Sequence, residues 1–268
     1  MKKILKQILP DPIIDRAKRN WDTLSRINEI PIAFLHPWRR DSIAILKRMK
    51  DIHRGERCFI IGNGPSLKNT DLSQLKDEYT IGMNRIYMLF DELGFNTSYY
   101  LSVNDLVIEQ CAQDIQKLNI PKFVSWRSKS WIKPAPDLCF LYTTYTEPKF
   151  AENAWERLWE GATVTYVAMQ LAFHLGFNEV YLIGVDHNFS TKGKPNTTVV
   201  SEGDDPNHFD SNYFGKGFRW QLPDLDTSER AYCIARDAYN KSGRHIYDAT
   251  VGGKLNIFPK VDYLDLFK

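Results

Sequence analysis

Three asparagines each stand where an apolar run stops. Asn63 lies in Gly62-Asn63-Gly64-Pro65-Ser66, Asn84 between Met83 and Arg85, and Asn104 between Val103 and Asp105. An amide donates and accepts at once, which suits base and ribose edges without repelling a phosphate. Gly62 and Gly64, lacking Cβ atoms, let the backbone approach such a ligand closely. Pro65 and Ser66 fit a helix start, whose free N–H groups attract anions. A single asparagine is ordinarily a cap or turn former, and the turn is neither a full G-x-G-x-x-G nor a G-K-[ST] phosphate loop. Recurrence at three successive strand ends is what favours binding, with Asp105 at the same edge.

Proton-transfer chemistry has three candidates. The run from Glu179 to Val185 delivers Asp186 and His187, a carboxylate beside an imidazole, to the edge that carries the asparagines. His208, in Pro206-Asn207-His208-Phe209, lies in a polar stretch from which it can swing in as a general base; its structural alternative is an exposed loop histidine. His36, His53, His174 and His245 fall on expected helices or strands and read as structural. Thr163 and Thr165 open a helix apolar nearly all round, a second anion or ribose site unless Thr163 is simply a cap. Lys254, after two glycines, can meet a phosphate as a point charge, although surface lysines seldom do. There is no H-E-x-x-H, no zinc-type Cys/His spacing and no G-x-S-x-G elbow, which argues against zinc proteases and serine hydrolases.

Positioning these groups requires an alternating α/β chain. Strands are expected at 58–61, 79–83, 98–103, 122–126, 139–143, 180–185 and 245–248. Helical stretches are expected at 72–75, 86–93, 106–118, 163–175 and 228–240. This alternation predicts a Rossmann-like, mostly parallel sheet with helices on both faces, and ligands at the carboxyl ends of its strands. Residues 1–56 read as an N-terminal helical extension, with an apolar stripe at Ile14, Ala17, Trp21, Leu24 and Ile27 and a second helix over 41–52 capped by Asp41 or Ser42. Residues 57–268 form the catalytic domain. Within it, 187–226 is rich in Asn, Asp, Gly, Pro and aromatics, with no periodicity, and reads as a lid-like insertion.

At 268 residues, 43% hydrophobic and 25% charged, the chain is an ordinary globular one, and it has no apolar stretch long enough to span a membrane. Four dispersed cysteines without a C-x-x-C pair and an amino end that lacks a cleavage site point to the cytoplasm. The net charge of +2 hides an asymmetry: residues 1–57 carry 14 Lys/Arg against 7 Asp/Glu, the remainder 21 against 26. A basic first segment suits either peripheral contact with the inner face of a membrane or plain solvated helices. Basic residues do not interleave with aromatics as a nucleic-acid binder requires. A homo-oligomer is compatible with all of this.

Ile60-Ile61-Gly62-Asn63-Gly64-Pro65-Ser66-Leu67, Asn84-Arg85-Ile86-Tyr87, the stretch 161–166 with its helix, the strand ending at Asp186, and 249–255 together resemble the MptE-like domain. That domain includes archaeal 6-hydroxymethylpterin diphosphokinases and bacterial motility accessory factors linked to flagellin glycosylation. The same skeleton is similar to the family-42 bacterial sialyltransferases, and the resemblance spans roughly residues 57–260. The sialyltransferase resemblance implies a metal-independent enzyme with no cofactor that binds a CMP-activated sugar donor and a glycan or protein acceptor. In it the residues matching Asn63, Asn84 and Asn104 hold the nucleotide, with Thr163 beside it, while the catalytic histidine matches His208 only loosely. A tyrosine of that family is Asn188 here. The diphosphokinase resemblance implies ATP and magnesium, with Asp105 and Asp186 as the carboxylates. A non-catalytic nucleotide-sugar-binding protein is the third class compatible with these residues.

Overall fold

The computed structural model describes residues 29–190 and 193–268, so the stripe expected over 12–28 lies outside the described residues. Short runs three to seven residues long become the strands of one sheet. In chain order they are β1 (Arg57–Ile61), β2 (Tyr79–Met83), β3 (Tyr99–Ser102), β4 (Lys122–Ser125), β5 (Leu138–Thr144), β6 (Arg157–Trp159), β7 (Glu179–Ile183) and β10 (His245–Asp248). Their order is β10-β7-β1-β2-β3-β4-β5-β6, every pairing parallel. Parallel neighbours cannot be joined by a tight hairpin, so each connection crosses over a face of the sheet. The short β6, with only Leu158 buried, and helix α1 (Glu29–Leu35) are elements that sequence periodicity did not indicate.

Alternation along β1 sends Phe59 and Ile61 to one face and Cys58 and Ile60 to the other, and each face has its own apolar core. The first core is built around α5 (Val164–Leu175), whose residues from Thr165 to Leu175 are all buried and which lies across β1, β2 and β3. The long α6 (Leu225–Lys241) packs against it, Tyr239 Oη donating to the Met169 carbonyl at 2.7 Å. On the second face lies α4 (Asp105–Lys117), with Val107, Ile108, Cys111 and Ile115 buried. A one-turn α3 (Phe90–Leu93) ends at Gly94 in the left-handed conformation, φ 68°.

The helix α2 (Pro37–Arg48) starts earlier than expected, because His36 rather than Asp41 or Ser42 caps it: Nδ1 accepts from the Trp38 N–H at 3.2 Å and Pro37 occupies the first turn. Ser42 is instead buried against β5, its Oγ accepting from the Phe140 N–H at 3.0 Å, and Leu46 enters the first core. Residues 29–56 therefore share a core with the sheet. Between β7 and α6 the expected lid contains a small antiparallel pair, β8 (Thr198–Val200) and β9 (Arg219–Gln221). Asp224 caps α6 by accepting from the Thr227 N–H at 3.1 Å, so the helix begins three residues before the expected Ser228. Among the described residues, no helix is long and apolar enough to cross a membrane.

Candidate functional site

The chain winds outward from β1 to β6, then returns to β7 on the other side of β1. At such a reversal two loops splay apart at the carboxyl edge, leaving a crevice. A cavity of about 250 Å³ opens there. Its floor is made by the turns after β1, β2, β3 and β7 and by the start of α5; its roof is the lid, through His208, Phe214, Trp220 and Leu222. Seven of its lining side chains are amides, and among the described lining residues none is Lys or Arg.

Asn63, Asn84 and Asn104 all line this cavity, and each also has a structural job. Asn63 Nδ2 donates to the Met83 carbonyl at 3.0 Å, while its Oδ1 is buried without a hydrogen-bond partner. Asn84 adopts φ 51°, a left-handed conformation that asparagine tolerates better than most residues, and its Oδ1 accepts from Ser102 Oγ at 3.0 Å. Asn104 caps α4, its Oδ1 accepting from the N–H groups of Leu106 and Val107 at 3.0 and 3.3 Å. The amide nitrogens of Asn84 and Asn104 have no hydrogen bond among the described residues. Asn84 and Asn104 thus bring two amide nitrogens to a common space, while the buried Asn63 Oδ1 stays without a partner.

The glycine turn is held differently from the sequence expectation. The Gly62 and Gly64 N–H groups donate to Ile183 and Gly184 carbonyls at 2.7 and 2.9 Å, and the Ser66 N–H donates to Asp186 Oδ1 at 3.1 Å. These donors are satisfied by the turn after β7 and are not offered to an anion. A Cβ on Gly62 would overlap the Gly184 carbonyl, and one on Gly64 the Asp186 carboxylate. Close packing of two strand ends therefore requires both glycines before any ligand does. Beyond the turn, Pro65–Asn69 forms a single 3₁₀ segment rather than an α-helix.

Asp186 lines the cavity, but Ser66 occupies both its oxygens, Oγ reaching Oδ2 at 2.7 Å. Burial pushes its carboxyl above the ordinary range, while the Ser66 bonds pull the other way. Its role is to brace the turn. Ser66 itself is buried outside the cavity lining. His187, at φ 53°, sits on the cavity wall with Nε2 at 2.8 Å from Glu229 Oε1. Lys254 meets Asp186 only through its backbone N–H, at 3.0 Å.

His208 is arranged as a base would be. Its Nδ1 lies 2.7 Å from Oδ2 of the buried Asp205, and its ring stacks on Tyr213 at 4.0 Å and 7°. A histidine whose Nδ1 faces a carboxylate is fixed in ring orientation, leaving Nε2 for chemistry. The lid that carries it is tied to the floor, because the Phe209 N–H donates to the Asn63 carbonyl at 2.9 Å. Tyr213 Oη accepts from the Arg85 N–H at 3.2 Å, and the Arg85 guanidinium reaches the Tyr213 carbonyl.

Opposite the lid lies a charged network that sequence reading missed. Arg127, in the 3₁₀ turn Trp126–Ser130, pairs with Asp105 at 2.8 Å and with Glu160 at 2.7 Å, and donates to Tyr145 Oη at 2.7 Å. Asp105 is thereby turned away from the cavity, whereas Glu160 and Tyr145 line it. Burial alone would weaken the guanidinium's hold on its proton; Glu160, Tyr145 and Asp105 together raise its pKa instead. Thr163 caps α5 by accepting from the Thr165 N–H at 3.3 Å, and it faces the cavity beside Tyr232, whose Oη is 3.4 Å away.

The parallel sheet, the reversal between β7 and β1 and the cavity above it define an α/β Rossmann-like protein. The chain belongs to the MptE-like family, described as 6-hydroxymethylpterin diphosphokinase MptE-like, whose model matches residues 35–192. That family points to a transferase role. Among solved structures, the MAf glycosyltransferase from Magnetospirillum magneticum AMB-1 aligns with a TM-score of 0.48 and 14% identity, over 84% of this chain and 38% of that one. The chain thus spans well under half the length of that protein. No curated protein sequence matches.

Proposed function

We propose that the protein is a glycosyltransferase acting on a nucleotide-activated sugar, CMP-linked as in the sialyltransferases it resembles, in the assembly of bacterial surface glycan or glycoprotein. The observation that carries this reading is the His208–Asp205 pair over a cavity lined by amides and, among the described residues, by no Lys or Arg. A donor with one phosphate fits such a cavity better than a polyphosphate, which would meet two carboxylates and no described lysine or arginine. In the reaction, His208 Nε2 takes the proton of the acceptor hydroxyl and the resulting oxygen attacks the anomeric carbon. The bond from that carbon to the phosphate oxygen breaks, its electron pair leaving with the nucleotide. The capped start of α5 at Thr163 supplies the dipole toward the leaving phosphate. The lid aromatics exclude water and stack on the sugar.

The family's description favours a second reading, diphosphoryl transfer from ATP with magnesium. The residues fit that metal poorly. Ser66 holds both Asp186 oxygens, Arg127 holds Asp105, and no group of three or more His, Cys, Asp or Glu among the described residues is placed to hold a metal.

Thermal-shift measurements with CMP, CDP, UDP and ATP, with and without magnesium, separate the two. The expected result is stabilisation by CMP that magnesium leaves unchanged. A shift confined to ATP with magnesium would replace this reading with the second, and no shift with any pyrimidine nucleotide would remove it. His208→Asn should keep the CMP shift and lose transfer. Nucleotide binding by the parent protein without turnover on any acceptor would leave a binding protein.

A further inference from the structure

Glu160 is a carboxylate placed where nothing in the fold requires a free one. The residue is 4% exposed yet lines the cavity. Its Oε1 is occupied twice, by Arg127 Nη2 at 2.7 Å and by Thr143 Oγ1 at 2.6 Å. Its Oε2 has no hydrogen bond among the described residues. With Oε1 anchored, Oε2 is the atom this carboxylate leaves to donors that enter the cavity. Arg127 holds this group in place, and is itself held by Asp105 at 2.8 Å.

The neighbours specify the donor chemistry. Asn104, Tyr145 and Thr163, neutral and polar, line the same cavity as Glu160. Within the network Arg127 faces two carboxylates, Asp105 and Glu160, so a further anion is repelled and neutral hydroxyls are welcome. His208 and the glycine turn gather on the β7–β1 side of the cavity, while Glu160 is bound to Arg127, which also donates to the Val103 carbonyl at the end of β3 at 3.3 Å. The reacting end of a donor at His208 puts its nucleoside end over β3.

We propose that Glu160 recognises the ribose of the bound nucleotide, Oε2 accepting hydrogen bonds from its 2′- and 3′-hydroxyls, with Arg127 as the positioning residue. This rests on the reading of the cavity as a nucleotide site. Nothing is transferred in this step; it selects ribonucleotides over deoxyribonucleotides.

Isothermal titration of the wild type and Glu160→Gln with CMP, UMP and their 2′-deoxy and 3′-deoxy counterparts tests it. A hydroxyl bonded to a buried carboxylate is worth about tenfold or more in affinity, so the wild type should bind the ribonucleotides about tenfold tighter than the 2′-deoxy forms. In Glu160→Gln the preference should shrink to about twofold or less. Equal binding of ribo and deoxy forms by the wild type, a comparison that needs no variant to fold, would overturn the assignment and leave the nucleotide site standing. A preference that survives intact in Glu160→Gln would overturn it as well. Wild type that binds none of these nucleotides would overturn both the assignment and the nucleotide reading.

Discussion

Arg127 shows how one side chain can organise a site it does not line. Its guanidinium meets Asp105 at the start of α4, Thr143 in β5, and Tyr145 and Glu160 just after β5 and β6, with its side chain only 16% exposed. Planar donors in a fixed fork suit this better than a lysine ammonium. Removing one partner of a buried ion network leaves uncompensated charge, at a cost of about 3–5 kcal/mol. Arg127→Met should therefore lower unfolding free energy by roughly that amount in urea titrations, and a loss below about 1 kcal/mol would mean that the network is as weak as an exposed pair. Arg127 carried no signal in the sequence, because its meaning lies in four carboxyl or hydroxyl groups that are 16 to 33 residues away. Asp205 was within reach: it stands three residues before His208, a spacing that lets the two side chains meet in a turn.

At the scale of elements, the turn after β1 is the part whose role changed most between sequence and structure. Its glycines were legible as a place of close approach. What approaches them first is the turn after β7, through the carbonyl of Gly184 and the carboxylate of Asp186. A single sequence cannot distinguish a ligand from a neighbouring strand end, since both demand a missing Cβ. Gly62→Ala puts a methyl group against backbone rather than against a side chain that can rotate away, so β1 and β7 must separate. The expected cost is about 1–3 kcal/mol, the range for overpacking, read as a fall in the urea midpoint with an unchanged slope. Gly55→Ala serves as the contrast: at φ 89° it is strained, but nothing lies within 4 Å of its Cβ, so its loss is backbone strain alone. The strands of the parallel sheet were legible because each is a short buried run bounded by turn residues. Three-residue β6 and the β8–β9 pair were not, since strands this short and half exposed give no alternation to read. His36 as a cap was missed because the usual cap residues are Ser, Thr, Asp and Asn.

Across the whole molecule, the helical layer of residues 29–56 is joined to the parallel sheet through α5, and the seam contains a histidine. His174 is fully buried; its Nε2 is 2.9 Å from the Leu46 carbonyl of α2, and Nδ1 has no partner. Burial depresses its pKa from 6.5 to about 4, only partly opposed by the bond to Leu46. The unfolded chain therefore binds a proton that the native protein refuses between those values, so stability is full above pH 6.5 and falls as the pH drops toward 4. A depression of that size corresponds to about 3 kcal/mol. Asp186 acts with the opposite sign: its carboxyl is raised by burial, so its contribution is complete at low pH and fades as the pH rises through its elevated value. The histidine has the larger shift and should dominate the mildly acid range. Unfolding free energy of the wild type, measured by urea titration at intervals from pH 7 to pH 4, should fall by about 3 kcal/mol more than that of His174→Gln, whose amide can still donate to Leu46. Parallel curves for the two proteins would show that the seam opens to water before the imidazole is protonated, and that α2 is not held to α5 as tightly as their shared core implies.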